Sequence, residues 1–86
     1  MNYDIQFSRI ARKVLQNIPR NDAKRIGDKI EKLKKNPFPA GNEKLAGSDE
    51  IFFRIRSGDY RVIYQLLKKK LVILIVKIGH RREIYR

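Results

Sequence analysis

The sequence predicts an α+β domain: an N-terminal strand, an antiparallel pair of helices, and then a three-stranded antiparallel meander. Three observations indicate this order. Residues 1–7 alternate between apolar and polar side chains, which is typical of a half-buried strand. Residues 8–35 carry apolar side chains at helical spacing in two blocks, and residues 51–78 return to strand-like runs joined by short polar turns. We therefore expect one domain over residues 1–86, with a single four-stranded sheet that has the helices on one face.

Composition narrows the classes of function. The 86 residues include no cysteine, which leaves out disulfides and thiolate metal sites and agrees with a cytoplasmic protein. The longest apolar run, Leu71–Val76, is too short to cross a membrane. The net charge is +12, and residues 51–86 alone hold 10 basic and 2 acidic residues, a balance of +8. This uneven excess favours a polyanionic partner over a membrane surface.

The first helix is expected to begin at Ser8, whose hydroxyl can cap its N-terminus. Pro19 is expected to end the first helix or to start the second, which Asn21 or Asp22 can cap. The second helix is expected to end before Asn36-Pro37, because the residue before proline avoids helical geometry. Each helix has one apolar stripe for the sheet. The stripes are Ala11, Val14, Leu15 and Ile18 in the first helix, and Ala23, Ile26, Ile30 and Leu33 in the second. Residues 36–50 lack periodicity and are predicted to form an ordered loop.

The register of the meander follows from parity. A two-residue turn at Gly58-Asp59 sets Arg56 opposite Arg61 and puts the apolar partners on the reverse face, whereas a three-residue turn would bury Arg61. An odd-length loop at 68–70 would place Lys77 beside Arg61 on the same face. It would leave the core side to Val72, Leu74, Val76 and Ile78.

These registers bring a basic cluster to the sheet face away from the helices. It consists of Arg54, Arg56, Arg61 and Lys77, next to His80, Arg81, Arg82 and Tyr85, with a bend expected at Gly79. Because adjacent like charges repel, such a set indicates a function, and guanidinium forks suit phosphate oxygens. Tyr85 and Phe52 could stack on the bases of a single strand.

Cleavage of RNA is one reaction that such a cluster could support, because RNA carries its own nucleophile, the 2′-hydroxyl. A protein then has to orient this hydroxyl toward the adjacent phosphorus, stabilise the developing negative charge and move protons. His80 is the one histidine and a candidate proton carrier, although a surface turn residue is an equally good interpretation of it. No metal-ligand constellation and no cofactor motif is present in the sequence.

The runs RIRSGDYRVIY and IVKIGHRREIY, with KLAG upstream, resemble the RelE family of toxin ribonucleases in the RelE/ParE superfamily. The resemblance covers nearly the whole chain. It implies a ribosome-dependent endoribonuclease that cuts mRNA in the ribosomal A site without a metal. It also implies a partner antitoxin of the RelB type.

The resemblance also implies residue roles. Arg54 matches a basic residue of the catalytic face, and Arg61 matches an arginine that stabilises the transition-state phosphate. Arg81 or Arg82 matches a second such arginine, and Tyr85 matches a tyrosine that stacks on or orients the substrate.

The sequence departs from the family in two ways. Phe52 stands where some members carry a lysine proposed as proton acceptor, which raises interest in His80. The C-terminal helix of some members is expected to be missing, since the sequence ends at Arg86. Two alternatives stay open: a ParE-like toxin that poisons DNA gyrase, and a basic RNA-binding module without catalysis.

Overall fold

The computed structural model of the chain describes residues 2–45 and 52–84, and these residues form a five-stranded sheet with two helices packed on one face. The elements in chain order are β1 (Asp4–Phe7), α1 (Arg9–Asn17), α2 (Arg20–Leu33), β2 (Glu43–Leu45), β3 (Phe52–Ser57), β4 (Tyr60–Leu67), β5 (Val72–His80) and α3 (Arg81–Ile84). The sheet order is β1-β5-β4-β3-β2, with β1 parallel to β5 and the other pairs antiparallel. The predicted fold class and element order are confirmed.

The sheet has five strands rather than the predicted four, and the additional strand is β2. It lies inside the region expected to be a loop and pairs with the outer edge of β3, Glu43 opposite Arg54 and Leu45 opposite Phe52. Three residues are too few to show an alternating pattern. The strand forms because backbone groups at a sheet edge gain partners when another segment lies alongside them.

The helices begin and end close to the predicted positions. Ser8 caps α1 as expected, because its Oγ accepts from the backbone N–H of Ala11 at 3.0 Å. The predicted cap of α2 at Asn21 or Asp22 is wrong: α2 begins at Arg20, and Pro19 occupies the capping position without a side-chain bond. Proline suits a helix start because its φ is already fixed near the helical value and because the backbone N–H that it lacks would have no partner within the helix there. The helix α2 ends at Leu33, before Asn36-Pro37.

The hydrophobic core lies between the helices and one face of the sheet. The helices contribute the buried residues Ala11, Ile26, Ile30 and Leu33, and the strands contribute Ile55, Val62, Tyr64, Ile73, Ile75 and Ile78. Much of the predicted stripe of each helix therefore packs as expected. In the part of the chain that the structure describes, no helix is long and apolar enough to span a membrane.

The β3–β4 hairpin has the predicted register. The turn occupies Gly58 and Asp59, and the φ of +60° at Gly58 is a conformation that glycine adopts without strain. Arg56 lies opposite Arg61, and Ile55 lies opposite Val62.

The β4–β5 pairing differs from the prediction. Leu67 pairs with Val72, so the loop has four residues, an even number, and a β-bulge between Ile63 and Tyr64 then shifts the register. Tyr64 pairs with Ile75 and Ile63 with Lys77, which leaves Val76 as the extra residue. A bulge reverses the parity of a strand. The core side of β5 is therefore formed by Ile73, Ile75 and Ile78, and the predicted core positions Leu74 and Val76 are only partly buried.

Candidate nucleic-acid interface

Four cations lie on the sheet face opposite the helices, which we call the basic face: Arg54, Arg56, Arg61 and Lys77. Side chains alternate between the two faces of a sheet, so the pairing of Arg56 with Arg61 puts both on the side opposite Ile55 and Val62. Lys77 joins this side because it pairs with Ile63, two residues after Arg61. The predicted grouping of these four residues is confirmed. It arises through the bulge in β5 rather than through an odd-length loop.

Arg61 is the most constrained of the four. It is only 6% exposed, and its Nη1 donates to the backbone carbonyls of Gly58 at 3.3 Å and Tyr60 at 3.1 Å. These bonds hold the guanidinium at the tip of the β3–β4 hairpin, directly across from Arg56. An arginine that is already oriented loses little side-chain entropy when an anion binds.

Arg54 is paired with a residue that the sequence did not suggest. Glu43 of β2 lies opposite Arg54, and its carboxylate forms an ion pair with the guanidinium. The side chain of Arg54 is 18% exposed, so one of the basic-face cations is partly neutralised within the chain. The role of Glu43 could not be predicted because β2 itself was not.

Phe52 lies at the other end of the basic face. It precedes Arg54 on the same side of β3 and pairs with Gln65, and its side chain is half-buried. Its stacking role stays a prediction.

The one-turn helix α3 carries the next two arginines of the predicted site. The N–H of Arg81 donates to the carbonyl of Asp59 at 2.7 Å, which ties the start of α3 to the hairpin turn beside Arg61. The side chains of Arg81 and Arg82 are exposed. A single helical turn therefore follows β5, and the sequence did not predict it. Tyr85, a predicted site residue, lies outside the described residues.

His80 lies on the other side of the sheet from the basic face, and its predicted grouping with the arginines is wrong. The strand β5 does not bend at Gly79, because Gly79 pairs with Arg61 and His80 pairs with Tyr60. The His80 ring meets the Tyr60 ring edge-on at 5.6 Å, and its Nδ1 accepts from the N–H of Arg82 at 3.3 Å. His80 also lines an open groove beside α1 with Ile10, Lys13, Val14, Asn17, Ile18, Pro19, Tyr60 and Arg82.

The basic face has the chemistry of an anion site. Its cations are arginines and a lysine, and within residues 2–45 and 52–84 no group of three or more histidine, aspartate or glutamate side chains is placed to hold a metal ion. Arginine forks bind phosphate oxygens bidentately, and lysine adds a point charge. The arrangement can therefore bind a phosphodiester and stabilise additional negative charge on it.

Comparison with known proteins agrees with the fold. Residues 5–85 match the family model of the ParE toxin of the type II toxin-antitoxin system parDE. RelE1 of Methanocaldococcus jannaschii is 34% identical over 89 residues, which cover 100% of this chain and 98% of that protein. The mRNA interferase toxin RelE of Escherichia coli K12 is 26% identical over 88 residues, which cover 99% of this chain and 92% of that protein.

Among solved structures, the archaeal RelE–RelB complex from Pyrococcus horikoshii OT3 contains a chain similar to this one. The TM-score is 0.82 at 33% identity, covering 94% of this chain and 97% of that chain.

Proposed function

The chain belongs to the RelE family of type II toxins, within the RelE/ParE superfamily, and from that premise we propose that it stops growth by cutting mRNA on the ribosome. The observation that carries the proposal is the basic face. Arg61 is buried and oriented there directly opposite Arg56, in a place where packing alone would not select two facing arginines.

In the proposed reaction, the RNA supplies its own nucleophile. The 2′-oxygen forms a bond to the adjacent phosphorus as the bond from phosphorus to the 5′-oxygen breaks, and the hydroxyl proton is transferred away while the leaving oxygen gains one. Negative charge grows on the phosphate oxygens during this step. We assign the stabilisation of that charge to Arg61 and Arg56, which lie opposite each other on the basic face, and the binding of neighbouring phosphates to Arg54 and Lys77.

The basic face supplies charge stabilisation rather than an obvious proton acceptor. Phe52 has no titratable group, and the His80 ring lies on the opposite face of the sheet, next to Tyr60. Arg81 begins a helix tied to the hairpin turn, so its side chain starts near the basic face and is a candidate second phosphate ligand. We assign Arg82 to RNA binding and keep Tyr85 as a stacking candidate from the sequence.

The proposal includes two partners. The similar chain of Pyrococcus horikoshii was crystallised with RelB, and we propose that a RelB-like antitoxin neutralises this toxin. The second partner is the ribosome with its bound mRNA, which places the activity in the cytoplasm. Neither a metal ion nor a cofactor has a part in the proposed reaction.

The central test is the substitution Arg61→Ala, assayed for mRNA cleavage on programmed ribosomes. Loss of one donor that stabilises transition-state charge typically lowers a rate by about 10²–10³-fold. Arg61→Lys keeps the charge but not the fork, and it should recover only part of the rate. Arg25→Ala removes an exposed arginine of α2, away from the basic face, and should cleave like the wild type.

Two results would contradict the proposal. Undiminished cleavage by a folded Arg61→Ala variant would remove Arg61 from the reaction; thermal unfolding of each variant checks the fold. The family model is named for ParE, which supports a second candidate, a toxin that inhibits DNA gyrase. If the wild-type protein inhibited DNA supercoiling by purified gyrase and left mRNA intact on ribosomes, the gyrase-inhibiting function would be established instead.

A further inference from the structure

The outer edge of β3 is only half covered. The strand β2 pairs with residues 52–54 and extends no further, so β3 from Ile55 onwards has no neighbouring strand on that side in the described part of the chain. At this point Nζ of Lys29, from α2, donates to the backbone carbonyl of Arg56 at 2.7 Å. A lysine at the open end of an edge strand blocks further strand pairing and also brings a positive charge to that end.

A cleft of about 210 Å³ lies at this open end. Its lining residues are Lys29, Lys32, Pro39, Ala40, Gly41, Ile55 and Arg56. Arg56 and Gly41 also line a second cavity of about 170 Å³, whose other walls are Arg54 and Glu43. The two cavities therefore share a wall. Arg56 stands between the basic face and a cleft that opens toward α2.

The charges of this cleft are all positive. Lys29, Lys32 and Arg56 supply three cations, and none of the described residues that line the cleft is acidic. The neighbouring cavity, by contrast, contains the Glu43 carboxylate that is paired with Arg54. An ammonium group has three donors, so the bond from Lys29 to the Arg56 carbonyl leaves capacity for an anion.

We propose that Lys29, Lys32 and Arg56 form a second phosphate-binding site, which holds a single-stranded RNA where it passes around the edge of β3 from the basic face. The ligand class is a phosphodiester of a polynucleotide, because three cations with no opposing carboxylate suit repeated negative charge. This inference rests on the proposed function for its choice of RNA. Because Arg56 belongs to both sites, the RNA strand would pass from the basic face over Arg56 into the cleft beside α2.

The test measures binding of fluorescein-labelled single-stranded RNA of 3 and 10 nucleotides by anisotropy over a range of NaCl concentrations. Each phosphate neutralised on a single strand contributes about 0.7 to the slope of log affinity against log salt. Lys32→Gln should lower that slope by about 0.7–1 for the longer RNA, equally for different base sequences, and leave the short RNA unaffected. Lys24→Gln is the matched control, since it lies on the same helix eight residues, or about 12 Å, from Lys32.

Lys29→Gln tests the second cation, with thermal unfolding as the check on its bond to Arg56. Equal slopes for Lys32→Gln and Lys24→Gln on the longer RNA would overturn the second site. So would an equal loss on both RNA lengths, because the site would then not depend on strand length. The outcomes for the second site and for the proposed function can be told apart. If the protein cleaves mRNA on ribosomes but the salt slopes of Lys32→Gln and Lys24→Gln are equal, only the second site is rejected. If the slopes differ but no mRNA is cleaved, only the proposed ribonuclease activity is rejected.

Discussion

Tyr64 shows at the scale of one residue how the core supports the loop before the meander. Its side chain is fully buried and its ring stacks on Phe53 at 5.6 Å. Its hydroxyl donates to the carbonyl of Pro37 at 2.6 Å, a bond between residues 27 positions apart. The residues after α2 are thus fastened to the centre of β4. The sequence predicted Tyr64 as a packing residue but not this bond, since pattern carries no information on which distant carbonyl a hydroxyl reaches.

The substitution Tyr64→Phe should destabilise the domain by about 1–2 kcal/mol, because it removes the hydroxyl and leaves the Pro37 carbonyl without this donor. Urea unfolding followed by circular dichroism measures the effect. Tyr60→Phe is the control, since it removes a hydroxyl from a half-buried ring on the same strand. A cost as large for Tyr60→Phe would show that the bond to Pro37 is not the cause.

The pH dependence of stability provides a second test of Tyr64. Burial raises the pKa of its hydroxyl above the usual value of 10.0, and a hydrogen bond with the Asn42 side chain opposes this only in part. Above pH 10 the unfolded chain therefore loses this proton while the folded chain still holds it, so stability falls as the pH rises through that window. The fall should be shallower in Tyr64→Phe, in which every lysine still titrates. Parallel stability curves for the two proteins would contradict this explanation.

At the scale of elements, Ser8 joins the start of α1 to the bulge in β5. Its Oγ accepts from the N–H of Ala11 and donates to the carbonyl of Val76 at 2.7 Å, and its own N–H donates to Ile75 at 2.9 Å. Val76 is the extra residue of the bulge. One serine therefore caps a helix and satisfies a carbonyl at the point where the strand changes parity.

Two variants separate these roles of Ser8. Ser8→Ala loses both bonds and should cost about 2 kcal/mol, since a helix cap alone contributes about 1 kcal/mol. Ser8→Asp keeps an acceptor for Ala11 but cannot donate to Val76 when ionised, so it should recover only the capping part. Denaturant unfolding measures both. Full recovery of stability in Ser8→Asp would mean that the bond to the bulge contributes nothing.

Among the strands of the meander, the register could be predicted where side chains alternate in polarity and could not where they do not. The β3–β4 register followed from Gly58-Asp59, because a wrong register would bury Arg61 among apolar side chains. β5 is apolar on both sides until Lys77, so nothing in its pattern indicated a bulge. The grouping of His80 with the basic face depended on a bend expected at Gly79, whereas pairing continues through Gly79 and puts His80 beside Tyr60. The basic face itself could be predicted, because charged side chains have few alternatives on a sheet with one buried face.

Across the whole molecule, the high net charge and the small size together make repulsion among the cations strong at low salt. The charge of +12 is spread over a body of 34 × 27 × 26 Å. At about 0.01 M salt the Debye length is roughly 30 Å, so nearly every cation is repelled by every other; at about 0.15 M it is roughly 8 Å, and only neighbours interact. Self-repulsion of this kind destabilises a compact state more than an expanded one.

The free energy of unfolding should therefore rise as NaCl is increased from 0.01 to 0.15 M. A gain of about 1 kcal/mol would raise the Tm of a domain this size by roughly 4–8 °C. The three lysines 68–70 are exposed in the turn between β4 and β5, so replacing all three by glutamine removes charge without touching the core. That variant should be more stable than the wild type at low salt and should gain less from added salt. The same rise in Tm for both proteins would mean that the salt acts by a route other than screening, since a purely screened repulsion must shrink with the charge that causes it.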